Sequence, residues 1–153
     1  WHGVSDPAIS VLDQITYYEE SRKAIDGEGQ LDEFSRMYLV PGLYHCFGGP
    51  GPVDAPDRLL EALIDWVEND SPPGPIVARR GNPGRAFEGQ GLFSYLPDPA
   101  DYIDAPPEDT PFRDFLLCPY PDYAVYSGED DMPSEIYDAR NWRCASLLSG
   151  PQR

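Results

Sequence analysis

Two side chains in the first third of the chain have the chemistry of a proton-transfer pair. His45 lies in the glycine- and proline-rich run 40–52, directly after a short apolar segment, and is one of two histidines. Asp6 lies near the start of the chain, in a loop that continues into Pro7. An imidazole on a loop at a strand end can act as a general base, and a carboxylate can hold its tautomer. The pair therefore predicts a hydrolase in which Asp6 orients His45.

Each residue also has an ordinary structural explanation. Asp6 before Pro7 could cap an Asx-type turn, and His45 could be a loop histidine with a satisfied hydrogen bond. The sequence also contains no nucleophile to match the pair. No serine lies in a G-x-S-x-G pattern, and none follows a strand and precedes a helix as a nucleophile elbow requires. Without a nucleophile, these two residues can orient and move a proton but cannot form an acyl-enzyme.

A metal site built on the histidines is the weakest alternative. No helix places His2 and His45 at metal-ligand spacing, and no third ligand is evident. We expect no metal or cofactor in this chain, and we expect His2 at the surface or beside the substrate.

Composition limits the class of protein. The 153 residues fit one domain, 41% of them are apolar, and no apolar run is long enough to span a bilayer. The formal charge of −16 comes from 27 acidic and 11 basic residues, which disfavours nucleic acid and anionic membrane surfaces as partners. Because the chain begins with Trp1 and no signal-like segment follows, we expect a piece of a longer product.

We expect a secreted, extracellular protein, in which the three cysteines would lie in an oxidising compartment. Cys46, Cys118 and Cys144 match no zinc pattern, and their odd number implies one internal pair and one thiol that pairs elsewhere. A short acceptor pattern for N-glycosylation begins at Asn69. The spacing alone does not decide which cysteines pair.

Hydrophobic periodicity predicts regular structure in residues 1–80. A helix over 11–25 with Ser10 as its N-cap is followed by a strand over 36–40. A second helix then begins after Asp54 or Asp57, with a wide apolar face that should pack on a sheet. We predict a further strand around 76–80.

This order of elements predicts the last βα units of an alternating α/β sheet. Two strands cannot bury both faces of a parallel sheet, so the sheet should be incomplete. Residues 81–153 show no sustained period, and we predict an irregular wrap rich in Pro, Gly and Tyr that belongs to the same domain.

Several motifs together resemble the C-terminal part of the tannase and feruloyl esterase family. The most specific is the run around His45-Cys46 with its glycines, and the resemblance extends over nearly the whole chain. The motifs are Trp1-His2-Gly3, Asp6-Pro7-Ala8-Ile9-Ser10, Tyr17-Tyr18-Glu19, Pro41 to Gly51, Leu63 to Glu68, Leu117 to Pro121, Tyr126-Ser127-Gly128 and Trp142-Arg143-Cys144.

The resemblance implies an α/β-hydrolase fold with an inserted lid and hydrolysis of phenolic acid esters such as ferulates or gallates. It implies that Asp6 is the triad acid and His45 the triad base, in the chain order of an α/β-hydrolase whose serine comes earlier. It also implies that Cys46 bonds to a cysteine just before that serine. Cys118 and Cys144 would then be the internal pair that staples the tail.

The same resemblance implies that important parts lie outside this chain. The serine, its preceding cysteine, the oxyanion-hole donors and the lid would all belong to a missing N-terminal portion, the main partner we expect. The family's lid calcium site would lie there too, because Asp130-Asp131 lacks the alternating carboxylates of such a loop. The chain alone should therefore be inactive. The alternative is an independent, non-enzymatic acidic binding module.

Overall fold

The structure is a computed structural model that describes residues 1–25, 30–45, 48–80, 113–129 and 133–146. Its strands are β1 (His2–Gly3), β2 (Leu39–Val40), β3 (Ile76–Arg80), β4 (Arg113–Leu117), β5 (Asp122–Tyr126) and β6 (Trp142–Ser146). Its helices are α1 (Val11–Ala24), α2 (Ala55–Asn69) and the short α3 (Pro133–Ile136), with 3₁₀ turns at Leu31–Glu33 and Ala139–Asn141. None of the helices in the described residues is long and apolar enough to cross a membrane.

The parallel pair β1–β2 brings the two candidate loops together. His2 is opposite Leu39 and Gly3 is opposite Val40, so both strands end at the same edge. Beyond β1, the Ser5 N–H donates to the Leu43 carbonyl at 3.1 Å, which continues the contact into the loops. A Cβ at Gly3 would lie 2.3 Å from the Tyr44 carbonyl oxygen, so only glycine permits this approach.

Helix α1 confirms the helix predicted over 11–25 to within one residue. Ser10 is at the N-cap position, but its side chain makes no capping hydrogen bond. Tyr18 of this helix is buried and packs with Leu31 and Met37 in a small cluster.

Helix α2 begins after Asp54, one of the two predicted caps. Its wide apolar face does not pack as predicted. Ala55 and Leu59 join the main core, whereas Leu63, Ile64 and Val67 are exposed. Within the described residues, only the first part of the helix reaches the main core, where Ala55 and Leu59 pack with residues of β2 and β3.

The predicted strand around 76–80 is present as β3, but it is not part of a parallel sheet. It pairs antiparallel with β4, with Ile76 opposite Leu117 and Arg80 opposite Arg113. The core between this pair and β2 is centred on fully buried Val40, Leu43 and Leu117. The described part of the fold is therefore mixed α/β, with small parallel and antiparallel sheets.

The prediction of an irregular wrap over 81–153 was wrong at 113–117, 122–126 and 142–146, where the structure has strands. Strand β4 pairs with β3, and β5 pairs antiparallel with β6, where Tyr126 and Trp142 pack edge to face at 5.4 Å. Each strand has five residues, too few to establish a sustained period, and its partner is distant in sequence. The predicted segment 81–112 lies outside the described residues.

Candidate active site

Asp6 lies in a tight loop directly after β1. Its main-chain N–H donates to the Gly3 carbonyl at 3.1 Å, and its Oδ1 accepts the N–H groups of Ala8 at 2.7 Å and Ile9 at 3.0 Å. These two bonds are the turn cap that the sequence left open as the structural explanation. They occupy only one carboxylate oxygen, so the other is available for a second partner.

That second partner is His45. Its Nδ1 lies 2.8 Å from Asp6 Oδ2 although the residues are 39 positions apart. The Asp6 side chain is 2% exposed, whereas the His45 side chain is 51% exposed. Within the described residues, Asp6 is the hydrogen-bond partner of His45, and the rest of the imidazole faces outward. The structure thus brings together the two residues singled out in the sequence.

The environment of Asp6 keeps its carboxyl ionised. Burial by itself would raise the pKa of Asp6, but the hydrogen bonds from Ala8, His45 and Ile9 outweigh it and lower the pKa to about 2. An ionised carboxylate can only accept hydrogen bonds, so a neutral His45 must carry its proton on Nδ1. Its Nε2 then has a free lone pair that can accept a proton from a hydroxyl or from water.

Glycines shape the loop that carries His45. Gly42 and Gly49 have φ of 71° and 82°, in the left-handed region that favours glycine. A Cβ at Gly49 would lie 2.2 Å from the Gly42 carbonyl oxygen, and one at Gly51 would lie 2.4 Å from the Pro41 carbonyl oxygen. The loop folds so tightly on itself that side chains are excluded at these positions.

Strand β3 anchors this loop from outside. Arg80 Nη1 donates to the Gly49 carbonyl at 2.9 Å, and the Val53 N–H donates to the Arg79 carbonyl at 3.1 Å. Sequence reasoning missed Arg80. The available signal was its place at the end of a predicted strand, at a sheet edge where loops converge.

His2 is not at the surface, which corrects the sequence prediction. It is 8% exposed and is buried beneath the Asp6 loop. Its Nε2 lies 3.2 Å from the Ile9 carbonyl oxygen and 3.8 Å from Asp6 Oδ2. The prediction failed because a polar residue near the chain start has no hydrophobic pattern to mark burial, while pairing of β1 with β2 covers it.

The structure places the cysteines as follows. Cys118, just after β4, is joined to Cys144 in β6 by a disulfide with a Cα–Cα distance of 5.7 Å. This bond ties the β5–β6 hairpin to the end of β4. Cys46 lies outside the described residues.

No metal ligand set is evident in the part of the chain that the structure describes, where no three His, Cys, Asp or Glu side chains form a cluster suited to a metal ion. The resemblance places the family's lid calcium site outside this chain. Asp130 and Asp131, the adjacent carboxylates weighed for that site, lie outside the described residues.

Comparison with known proteins decides the family. The family model for tannase and feruloyl esterase matches residues 1–145. The chain belongs to the tannase and feruloyl esterase family. The match includes both Asp6 and His45, as well as the disulfide between Cys118 and Cys144.

Relatives in this family are much longer than the chain. A mono(2-hydroxyethyl) terephthalate hydrolase from Piscinibacter sakaiensis is 36% identical over 148 residues, which are 95% of this chain and 19% of that protein. Feruloyl esterase B from Aspergillus niger is 27% identical over 94% of this chain and 25% of its own length. The chain therefore spans about a quarter or less of the length of these curated relatives.

Two solved esterase structures resemble this chain in fold. The crystal structure of feruloyl esterase B from Aspergillus oryzae matches 94% of this chain and 26% of that chain, with a TM-score of 0.61 and 22% identity. An esterase from the same organism matches with a TM-score of 0.62 and 24% identity. At this identity the likeness concerns the fold alone.

Proposed function

We propose that the chain is the C-terminal catalytic portion of a secreted serine-type carboxylic ester hydrolase that cleaves phenolic acid esters. Asp6 is its triad acid and His45 its general base. The observation that carries the proposal is the 2.8 Å contact between Asp6 Oδ2 and His45 Nδ1, with the carboxylate buried and the imidazole half exposed. A buried acceptor behind an accessible imidazole is the arrangement that a general base needs.

In the first half-reaction, His45 Nε2 takes the proton of a serine hydroxyl as the serine oxygen attacks the ester carbonyl carbon. Asp6 keeps the resulting imidazolium oriented and stabilises its charge without taking the proton itself. When the carbon–oxygen bond to the alcohol breaks, His45 donates that proton to the leaving oxygen. The alcohol departs, and the phenolic acyl group remains on the serine.

In the second half-reaction, water replaces the alcohol. His45 Nε2 takes a proton from water, whose oxygen attacks the acyl carbonyl carbon, and the proton then passes to the serine oxygen as the acyl bond breaks. The phenolic acid is released and the serine hydroxyl is restored. Every proton step uses the same imidazole nitrogen, the one opposite the Asp6 contact.

The nucleophile is proposed to come from a portion of the protein outside these 153 residues. The chain spans at most about a quarter of the curated relatives described above, which leaves room for a serine, oxyanion-hole donors and a lid. We propose that Cys46 bonds to a cysteine beside that serine and so ties the base loop to the nucleophile. The Cys118–Cys144 disulfide supports an oxidising, extracellular location.

The family match supports the esterase over the alternative, an independent binding module. The proposed substrates are esters of ferulic or gallic acid, because relatives are named feruloyl esterase and tannase. The selectivity between these esters would come from the pocket and lid outside this chain.

The test compares two polypeptides made from the reading frame that contains this chain. One is the product of the complete frame, and the other is residues 1–153 alone. Each is assayed with methyl ferulate and methyl gallate, with and without a serine-directed inhibitor. We expect inhibitor-sensitive hydrolysis by the complete product and none by residues 1–153. Hydrolysis by residues 1–153 alone would refute an external nucleophile, and inactivity of both polypeptides would refute the esterase.

A further inference from the structure

His2 is the buried polar residue in the described core, and the proposed proton transfers do not use it. It is 8% exposed, lies in β1 opposite Leu39, and sits beneath the loop that carries Asp6. A buried imidazole is costly unless it is hydrogen-bonded, so its partners indicate its role.

The first partner of His2 is the Ile9 carbonyl oxygen, 3.2 Å from Nε2. A carbonyl can only accept, so the His2 Nε2 carries the proton and donates it. This bond joins His2 in β1 to Ile9, seven positions later, and so spans the loop that carries Asp6. Ile9 contacts both residues, because its carbonyl accepts from His2 and its N–H donates to Asp6 Oδ1 at 3.0 Å.

The second contact of His2 is with the carboxylate itself. Its Nε2 lies 3.8 Å from Asp6 Oδ2, the oxygen that accepts the bond from His45 Nδ1 at 2.8 Å. Asp6 Oδ2 therefore lies between two imidazoles, one buried and one half exposed. At 3.8 Å this contact is too long for a hydrogen bond, so His2 does not compete with His45 for Asp6 Oδ2.

We propose that His2 is a positioning residue that fixes the Asp6 carboxylate so that Oδ2 faces His45. It acts through the Ile9 carbonyl, which locks the loop and aims the N–H groups of Ala8 and Ile9 at Oδ1. This inference rests on the proposed function for its effect on catalysis, but the positioning itself is a property of the described residues. One consequence is that the two neutral histidines hold opposite tautomers, Nε2–H in His2 and Nδ1–H in His45.

The variants that test this role are His2→Leu and His2→Gln. Leucine fills the space without a donor, whereas the glutamine amide can still donate to the Ile9 carbonyl. Val4→Ala is the matched control, because Val4 is an exposed residue of the same segment. In the complete esterase, we expect His2→Leu to lower kcat about tenfold or more with little change in KM, through misalignment of the acid. His2→Gln should restore most of the rate, and Val4→Ala should leave it unchanged.

A second readout does not depend on hydrolysis. The ¹³C signal of the Asp6 carboxyl, followed against pH, should titrate near the pKa of about 2 in the unmodified chain and in His2→Gln. In His2→Leu the midpoint should rise towards the ordinary value of 3.8, because the loop amides no longer hold Oδ1.

The outcomes separate the two proposals. If His2→Leu leaves both the Asp6 titration and kcat unchanged, the positioning role is wrong while the esterase assignment stands. If no polypeptide hydrolyses the esters but the Asp6 titration shifts as expected, the positioning role stands and the esterase fails. Should His2→Leu not fold, the tautomer of His2 in the unmodified chain decides, measured by two-bond ¹H–¹⁵N correlation. An Nε2–H tautomer supports the role, and an Nδ1–H tautomer overturns it.

Discussion

The two loops of the candidate site are held in opposite ways. The Asp6 loop is fixed by its own polar bonds: two N–H groups donate to one carboxylate oxygen, and the side chain is almost fully buried. The His45 loop is held by close backbone contacts that only glycines permit. Arg80 from β3 also holds it by a hydrogen bond to a loop carbonyl. The imidazole itself has one described partner and is otherwise open.

This difference shows how Asp6 and His45 can take the separate roles of acid and base. An acid that only orients and stabilises charge benefits from burial and fixed donors. A base that must reach a nucleophile and then water needs an exposed face on a rigid support. The predictions below test whether each loop depends on its own kind of support.

The largest effect is expected from changing the pair itself. Asp6→Asn in the complete esterase should lower kcat by roughly 10³–10⁴-fold, because the amide cannot hold the Nδ1–H tautomer as the carboxylate does. Steady-state kinetics with methyl ferulate measure the change. Asp13→Asn, at an exposed position in the first turn of α1, is the control and should have no effect. Nearly full activity of Asp6→Asn would show that this carboxylate is not the acid.

The base loop should be sensitive to a single methyl group. Gly49→Ala places a Cβ against the Gly42 carbonyl oxygen at a φ of 82°, so the loop must shift and take His45 with it. We expect a loss of about 10²-fold in kcat from the misplaced imidazole. Gly74→Ala is the matched control, since a Cβ there meets no heavy atom within 4 Å. Equal activities of the two variants would contradict the glycine-based support.

Loss of the disulfide that anchors the β5–β6 hairpin should lower the stability of the fold but leave the candidate site unchanged. Replacing both Cys118 and Cys144 with alanine should lower the free energy of unfolding by about 3 kcal/mol, because the disulfide closes a loop of moderate length. Thermal or urea unfolding measures the loss. The Asp6 titration should stay as in the unmodified chain, since both site loops lie in residues 1–80. A shift of that titration in the double variant would show that the hairpin also supports the acid.

The smallest effect concerns stability in acid. The pKa of Asp6 is about 2 in the folded chain against an ordinary 3.8, so its ionised form favours the folded state. That contribution is complete above the unfolded pKa and is lost as the pH falls towards about 2. The thermal midpoint of unfolding should therefore fall as the pH is lowered from 3.8 to about 2, and it should fall less steeply in Asp6→Asn. Identical acid profiles for the two proteins would contradict the lowered pKa.

Sequence patterns predicted the local elements well. The helix at α1, the start of α2 after Asp54, and the strand at β3 follow from local periodicity and capping residues. Asp6 and His45 were paired because a carboxylate and an imidazole lie in two loops, and the parallel pair β1–β2 places both loops at one edge. The two helices and the strand depend on residues that are close in sequence, whereas the Asp6–His45 contact joins residues 39 positions apart.

What the sequence did not predict depends on distant contacts. The antiparallel partner of β3 and the β5–β6 hairpin are short strands whose partners lie far along the chain. The burial of His2 and the bond from Arg80 to the His45 loop likewise follow only once the strands are paired. The exposed half of α2 shows the reverse case, in which an apolar face predicted a contact that the described residues do not provide.

The most direct test of the central claim is the tautomer of His45. The chain has two histidines, so ¹⁵N-histidine labelling gives two ring spin systems, which a His2→Gln variant assigns. Two-bond ¹H–¹⁵N correlation spectra identify the protonated nitrogen of each neutral ring. If Asp6 Oδ2 accepts a hydrogen bond from Nδ1–H across the 2.8 Å contact, neutral His45 carries its proton on Nδ1 and leaves Nε2 free. A neutral His45 protonated on Nε2 would contradict the account, because the ring could then neither donate to Asp6 nor act as the base.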